Sequence, residues 1–294
     1  MKQYLKNTFW LGLLGALVLI FLATTGKDAE AGVRDISNVS WRVSVNKGKE
    51  FKSYEIVKAK DGEPAIGKRS FKFTVMPYDC GYSRYSGWSD CDAGTVRARS
   101  EVSSSDNDFT GKDSERWIAF SIYIPKDFQS VWPTKSSFFQ VYKRTQNKKS
   151  LGPTFMLRDR GNDRLVAELH GSQYDAHYCA GCTSVLSGKN TVMKISDMKG
   201  KWTHFKIHFR YTDKKDGFWK VYVNDELKYH VAGTTKSSVV GADRLHLKAG
   251  IYQTGTDWYK KSYNKDIPAQ TIYMDNIYFS KTEKKLLKLI NKTK

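Results

Sequence analysis

Side chains able to bind anions and move protons recur at alternate positions in several short runs of the chain. Arg97, Arg99, Glu101 and Ser103 share one parity, as do Gln140, Tyr142 and Arg144. His246, Lys248, Gly250 and Tyr252 form a third set, and Trp202, His204, Lys206, His208 and Arg210 a fourth. In an extended strand, alternate residues face the same side, so each set would make one polar surface. Arginine, lysine and glutamine can neutralise a carboxylate, while histidine and tyrosine can exchange a proton within hydrogen-bond reach. A solvated β surface would carry more Thr, Ser and Glu, although a merely basic exposed face is the alternative for the same residues.

Competing chemistries lack their parts. A glycosidase needs two carboxylates across the scissile bond, and the polar sets offer Glu101 and, from another run, Glu168. The Gly-x-Ser-x-Gly of a serine hydrolase does not occur, nor does the His/Asp spacing of a metal hydrolase. We expect no metal and no cofactor, with a structural Ca²⁺ left open. Cys179-Ala-Gly-Cys182 has no second ligand pair for zinc. Together with Cys80 and Cys91 it reads as a disulfide framework, and the local pairing 80–91 and 179–182 is expected among the three connectivities that four cysteines allow.

Strands must present these side chains. Period-two alternation predicts them over 70–76, 95–102, 116–124, 137–144, 164–170, 202–211, 218–223, 245–252 and 271–279, separated by Gly, Asn, Asp and Lys clusters. Such spacing predicts an all-β sandwich or jelly roll of antiparallel sheets, one domain over residues 32–280. Residues 281–294 read as a short, basic, amphipathic C-terminal helix whose apolar stripe is Leu286, Leu287, Leu289 and Ile290. That stripe could pack on the sandwich, dock on a partner or touch an anionic membrane.

The 294 residues carry 40% hydrophobic and 14% aromatic side chains, enough for a large core, which excludes a disordered chain. The net charge of +19 calls for an anionic partner. Lys2 and Lys6 precede an apolar run at 9–23, and Ala29-Glu30-Ala31 offers a cleavage pattern, so residues 1–31 read as a signal peptide or a retained N-terminal anchor. The run falls short of the roughly 20 residues that span a bilayer as a helix. Either way the domain is exported, secreted or periplasmic, and nucleic acid drops out as a partner. A membrane would be met only through the N-terminal segment, if uncleaved. That segment holds three lysines and two acids, so nearly all the positive excess belongs to the folded domain.

Three of the polar runs resemble motifs of jelly-roll polysaccharide lyases. Arg99-Ser100-Glu101-Val102, Phe139-Gln140-Val141-Tyr142 and Leu247-Lys248-Ala249-Gly250-Ile251-Tyr252-Gln253 follow the order of Arg-Ser-Glu-Leu, Gln-Ile-His and Tyr-Phe-Lys-Ala-Gly-x-Tyr in alginate lyases. Arg116 through Pro125, Gly200 through Phe205, Val221 through Asn224 and Tyr273 through Tyr278 resemble strands of the heparin lyase I and glucuronan lyase branch. The resemblance covers about residues 95–280 and implies a concanavalin-like β-jelly roll.

It also implies β-elimination at a uronic acid of an anionic polysaccharide, and we expect the exported enzyme to be a monomer. By resemblance Arg99 and Gln140 would hold the C6 carboxylate, stabilising the charge that develops as C5 loses its proton, and Tyr252 would be the acid and could also be the base. The motif's histidine is replaced by Tyr142. The base could then be Tyr142, Tyr252, or a histidine from elsewhere, His170 ahead of His177. At roughly 3.3 Å per residue Lys248 and Tyr252 stand about 13 Å apart, which assigns Lys248 to a neighbouring sugar. Arg97, Arg144, Lys206 and His246 complete the expected substrate-binding set, and Glu101 is expected to pair with an arginine on its own face. Without the proton chemistry, the same basic face would make a lectin-like protein for acidic polysaccharide.

Overall fold

In the computed structural model the described residues are 36–39, 41–43, 45–46, 54–77, 79–82, 89–90, 97–104, 113–144, 150–170, 182–184, 190–236 and 244–292. Alternation of large apolar with polar residues builds two antiparallel sheets. One has seven strands in the order β1 (Trp41–Val43), β6 (Arg97–Ser104), β16 (Arg244–Thr254), β8 (Lys135–Arg144), β9 (Ser150–Asp159), β10 (Arg164–Leu169) and β12 (Thr191–Lys194). The other has eight: β11 (Cys182–Ser184), β15 (Glu226–Gly233), β14 (Phe218–Val223), β13 (Trp202–Tyr211), β7 (Ser114–Tyr123), β17 (Gln270–Ser280), β4 (Arg69–Val75) and β3 (Tyr54–Lys58). A two-stranded ribbon pairs β2 (Val45–Asn46) with β5 (Gly81–Tyr82). This is the expected jelly-roll sandwich.

The apolar faces of the two sheets meet in one core. Thr203, Phe205, Ile207, Phe209 and Tyr211 of β13 are buried, and so are Leu245, Leu247, Ala249 and Ile251 of β16. Stacked rings join the layers: Phe120 of β7 lies 4.1 Å from Phe139 of β8, and Trp219 of β14 stacks between Phe209 at 4.2 Å and Phe155 of β9 at 5.2 Å. Offset aromatic pairs of this kind add to the stabilisation from area burial alone.

All nine alternating runs are strands, within two residues at each end. The sequence reading missed others. In β9, Gly152 and Pro153 break the pattern, and β3 is an edge strand with little buried surface. A helix was missed as well. Residues Thr256–Tyr263 form α1 behind Gly255, whose left-handed φ of 69° turns the chain out of β16.

The tail helix α2 (Glu283–Asn291) is capped by the Thr282 hydroxyl, which accepts from the Lys285 N–H at 3.3 Å. It lies on the outer face of the eight-stranded sheet, where Leu286 is buried with Ala119 and Tyr278 and backed by Trp117, Leu289 and Ile290. Packing on the sandwich is therefore the reading of the apolar stripe that the structure adopts. Among the described residues no helix is long and apolar enough to cross a membrane, and the expected segment 1–31 lies outside them.

Candidate active site

The outer face of the seven-stranded sheet gathers most of the expected residues. On β16, Lys248 stands in register with Gln140 and His246 with Tyr142 of β8. On the strand's other side, Tyr252 stands opposite Arg99 and Gly250 opposite Glu101 of β6. A side chain at 250 is excluded, because a Cβ there would lie 2.2 Å from the Ser100 carbonyl oxygen, and its φ of 125° is one that L residues avoid. The opening at Gly250 brings β6 and β16 together under the polar cluster.

Glu101 is the hub of that cluster. It accepts from the Gln140 amide at 2.5 Å and from Arg99 Nη1 at 3.1 Å, with Lys248 Nζ at 3.6 Å. The expected pairing of Glu101 with an arginine on its own face is therefore present. Because a carboxylate only accepts, it fixes Gln140 with the NH₂ toward Glu101, and the amide oxygen is left buried without a partner. Asp90 adds a second anchor, bonding Arg99 through Nε and, at 2.7 Å, through Nη2. Burial opposes the charge on Arg99, but Glu101 and Asp90 outweigh it and hold the guanidinium above its ordinary pKa. Arg99, Glu101 and Gln140 are all buried, and charged groups are tolerated there because each is paired.

Tyr252 lies against this network, its ring centre 4.6 Å from the Arg99 guanidinium. Burial pushes its phenol up to about 12, against the pull of Arg99 and Arg97. At neutral pH it therefore carries its proton and can donate it. Tyr142 marks the other end. It stands five residues from Ser137, the cross-strand partner of Tyr252, which is about 16 Å along β8. Its ring lies 4.7 Å from Lys248 Nζ and 5.3 Å from the His246 ring, and the two tyrosines are close enough to interact electrostatically.

The histidine absent from position 142 stands directly across the ladder. His246 occupies the place of the first Tyr of Tyr-Phe-Lys-Ala-Gly-x-Tyr, so the His and Tyr of the two motifs have exchanged strands. Burial first, then Arg144 and Lys248, hold the His246 imidazole well below the ordinary histidine value. It is neutral and 1% exposed, with no side chain hydrogen-bonded to its ring, and the Tyr142 backbone pulls its pKa the other way.

His170 is a correction. The structure sets it next to β10, three strands from β16, at roughly 4.8 Å per strand, with Nε2 3.4 Å from Glu168. It belongs to a second polar cluster, in which Glu168 also meets Arg160 at 2.7 Å and Arg158 at 3.3 Å, and its N–H bonds the Thr154 carbonyl level with Tyr142, so it is displaced from Tyr252 along the strands as well as across them. Lys206 is a second correction. It lies on β13 of the other sheet, bonded to Glu283 of α2 at 2.7 Å and set over the rings of Trp117 and Tyr222. Identical alternation on two sheets made it look like part of the same surface.

Arg97 stands opposite Thr254 at the Tyr252 end of the face, and Arg144 opposite Arg244 at the His246 end. Arg158 and Arg160 were missed because β9 was missed, although the parity Met156, Arg158, Arg160 would have marked them. Asp90 was hidden in a loop. Cys80 is in a disulfide, while Cys91, Cys179 and His177 lie outside the described residues, as does the side chain of Cys182. Among the described residues no group of three His, Cys, Asp or Glu is placed to hold a metal ion.

The sequence profile of the polysaccharide lyase family matches residues 41–278, nearly the whole sandwich. The chain belongs to the polysaccharide lyase family. Solved structures agree on the fold of this lyase. It is similar to an endo-β-1,4-glucuronan lyase from the fungus Trichoderma reesei, at 15% identity and a TM-score of 0.53 over 83% of this chain and 95% of that one. It is also similar to the family 7 alginate lyase A1-II′ in complex with its substrate GGMG, at 13% identity and a TM-score of 0.51 over 82% and 91% of the two chains. No curated protein sequence matches the lyase.

Proposed function

We propose that this polysaccharide lyase, exported from the cell, cleaves a uronate-containing anionic glycan by β-elimination on the outer face of its seven-stranded sheet. The observation that carries this reading is the buried Gln140–Glu101–Arg99 chain beside a phenol that keeps its proton. Arg99 and the second N–H of the Gln140 amide donate to the C6 carboxylate, and their positions are set in advance by Glu101 and Asp90, so little reorganisation is needed as enolate charge develops. The phenolic oxygen of the half-buried Tyr142 takes the C5 proton as its own proton leaves to water. The C5–H electron pair forms the C4=C5 double bond, the C4–O4 bond breaks, and Tyr252 protonates the departing O4. Lys248 lies between the two tyrosines, 3.6 Å from the Glu101 that holds Arg99 and Gln140, and so serves the same sugar as they do and not the neighbouring one expected from strand spacing. Tyr252 is the acid, since a phenol pushed up to about 12 by burial holds the proton that O4 receives.

The test is incubation with glucuronan, alginate and heparin-type chains while following the ultraviolet absorbance of unsaturated uronate products. Tyr252→Phe should lower kcat by about 10²–10⁴-fold and leave retention on an immobilised polyuronate intact. Tyr142→Phe should suppress turnover, and full activity in that variant would remove this base. Binding without any gain in absorbance on every polymer would make the domain a lectin-like protein for acidic polysaccharide.

A further inference from the structure

The same face continues past Tyr252. The next row of outward residues is Thr254 of β16, Lys135 of β8 and Arg160 after β9: Thr254 pairs with Lys135, and Arg160 follows two residues after Arg158, which pairs with Ser137. Beyond this row stand Trp132 and Trp258, 37% and 40% exposed, the two most exposed tryptophans among the described residues.

Both indoles are held in the same way. Trp132 lies against Gly161 and Trp258 against Gly255, each glycine in the left-handed region, with φ of 67° and 69°. A Cβ at Gly161 would come within 2.5 Å of Trp132, and one at Gly255 within 2.4 Å of Trp258. Each ring therefore rests on bare backbone. The two segments are tied together where the Thr134 hydroxyl donates to the Gly255 carbonyl at 2.7 Å.

Each indole also carries a cation: Arg160 lies 5.8 Å from the Trp132 ring centre and Lys135 5.3 Å from that of Trp258. Lys135, Arg158 and Arg160 all act on one carboxylate, Glu168. Rigid, half-open aromatic faces suit the apolar face of a pyranose ring, and a surplus of cations beside them suits a sugar that carries a carboxylate.

We propose that Trp132, Trp258, Lys135 and Arg160 form a subsite for a further acidic sugar of the glycan, on the leaving-group side of the scissile bond. The side follows from Tyr252, and in this the inference rests on the proposed function. If Tyr252 protonates O4, the sugars that depart with O4 extend past Tyr252, away from Gln140 and Tyr142. The fragment held on the tryptophans is then the one that leaves with a new reducing end, and the fragment with the unsaturated ring lies toward His246.

The experiment compares kcat/KM for polyuronate oligosaccharides of increasing length in the wild type, Trp132→Ala, Trp258→Ala and Lys135→Gln. In the wild type kcat/KM should rise with length. Each substitution should remove about 10-fold of that rise, with a penalty that grows with length and falls mainly on KM, and Trp132→Phe and Trp258→Phe should recover part of it. A penalty equal at every length, or none in an active enzyme, would overturn the subsite. A wild type that cleaves no polyuronate would instead overturn the proposed function, and calorimetric titration of the same oligosaccharides would then still report whether the tryptophans bind them. Should the alanine variants fail to fold, the Phe variants and Lys135→Gln carry the comparison.

Discussion

Two outer faces of this sandwich carry nearly the same residue types, and they use them differently. On the eight-stranded sheet, Lys206, His208 and Arg210 meet acids whose side chains are 41–57% exposed: Glu283, Glu115 and Asp216. Trp117 stacks on His208 at 3.7 Å, and α2 covers part of the surface. On the seven-stranded sheet, Arg99, Glu101, Gln140 and His246 are almost wholly buried, each 7% exposed or less. Water compensates charge on the first face. On the second, compensation comes from fixed partners, and that is the condition under which charges act strongly on a bound anion. Composition and alternation do not separate the two cases, but burial does.

Truncating Glu101 to Ala would strain that distinction most. It removes a partner shared by Arg99, Gln140 and Lys248, with Asp90 left to hold Arg99, and we expect a loss of about 3–5 kcal/mol in denaturant unfolding, along with turnover. A change below about 1 kcal/mol would mean the cluster is as well hydrated as the other face. Lys143 tests burial apart from pairing. It is fully buried on the core side of β8 with one hydrogen bond, to the His170 carbonyl at 3.2 Å. Burial pulls its ammonium down to about 8 from 10.5.

The unfolded chain therefore binds more protons between those values, so stability should rise with pH across about 8–10.5 and carry the full penalty below 8. Lys143→Met should abolish that rise and raise stability at neutral pH by about 2 kcal/mol, measured by urea melts at pH 7 and pH 10. The smallest effect belongs to Lys206→Ala, expected within about 1 kcal/mol in thermal or urea melts and without change in the rate on polyuronate. A large loss of activity there would return Lys206 to the substrate surface.

Much of the fold was legible because one-sided burial writes itself into alternate residues. Arg99, Gln140, Lys248 and Tyr252 come together as their parities required. What stayed hidden depends on contacts far apart in sequence. Only the strand order shows that the parity of Lys206 belongs to the other sheet, and only the register across β8 and β16 sets His246 beside Tyr142. Gly152 and Pro153 masked β9 and with it Arg158 and Arg160, and Asp90 has no periodic neighbours to mark it.

The stack of Phe155, Trp219 and Phe209 across the two layers has an optical consequence. Trp219 is fully buried among hydrocarbon rings, so its emission should be the bluest of the described tryptophans and its near-ultraviolet dichroism the most sensitive to separation of the sheets. Trp132 and Trp258 emit from a wetter surface. A wavelength-resolved melt thus reads the parting of the sandwich and the state of the sugar platform as two signals from one sample.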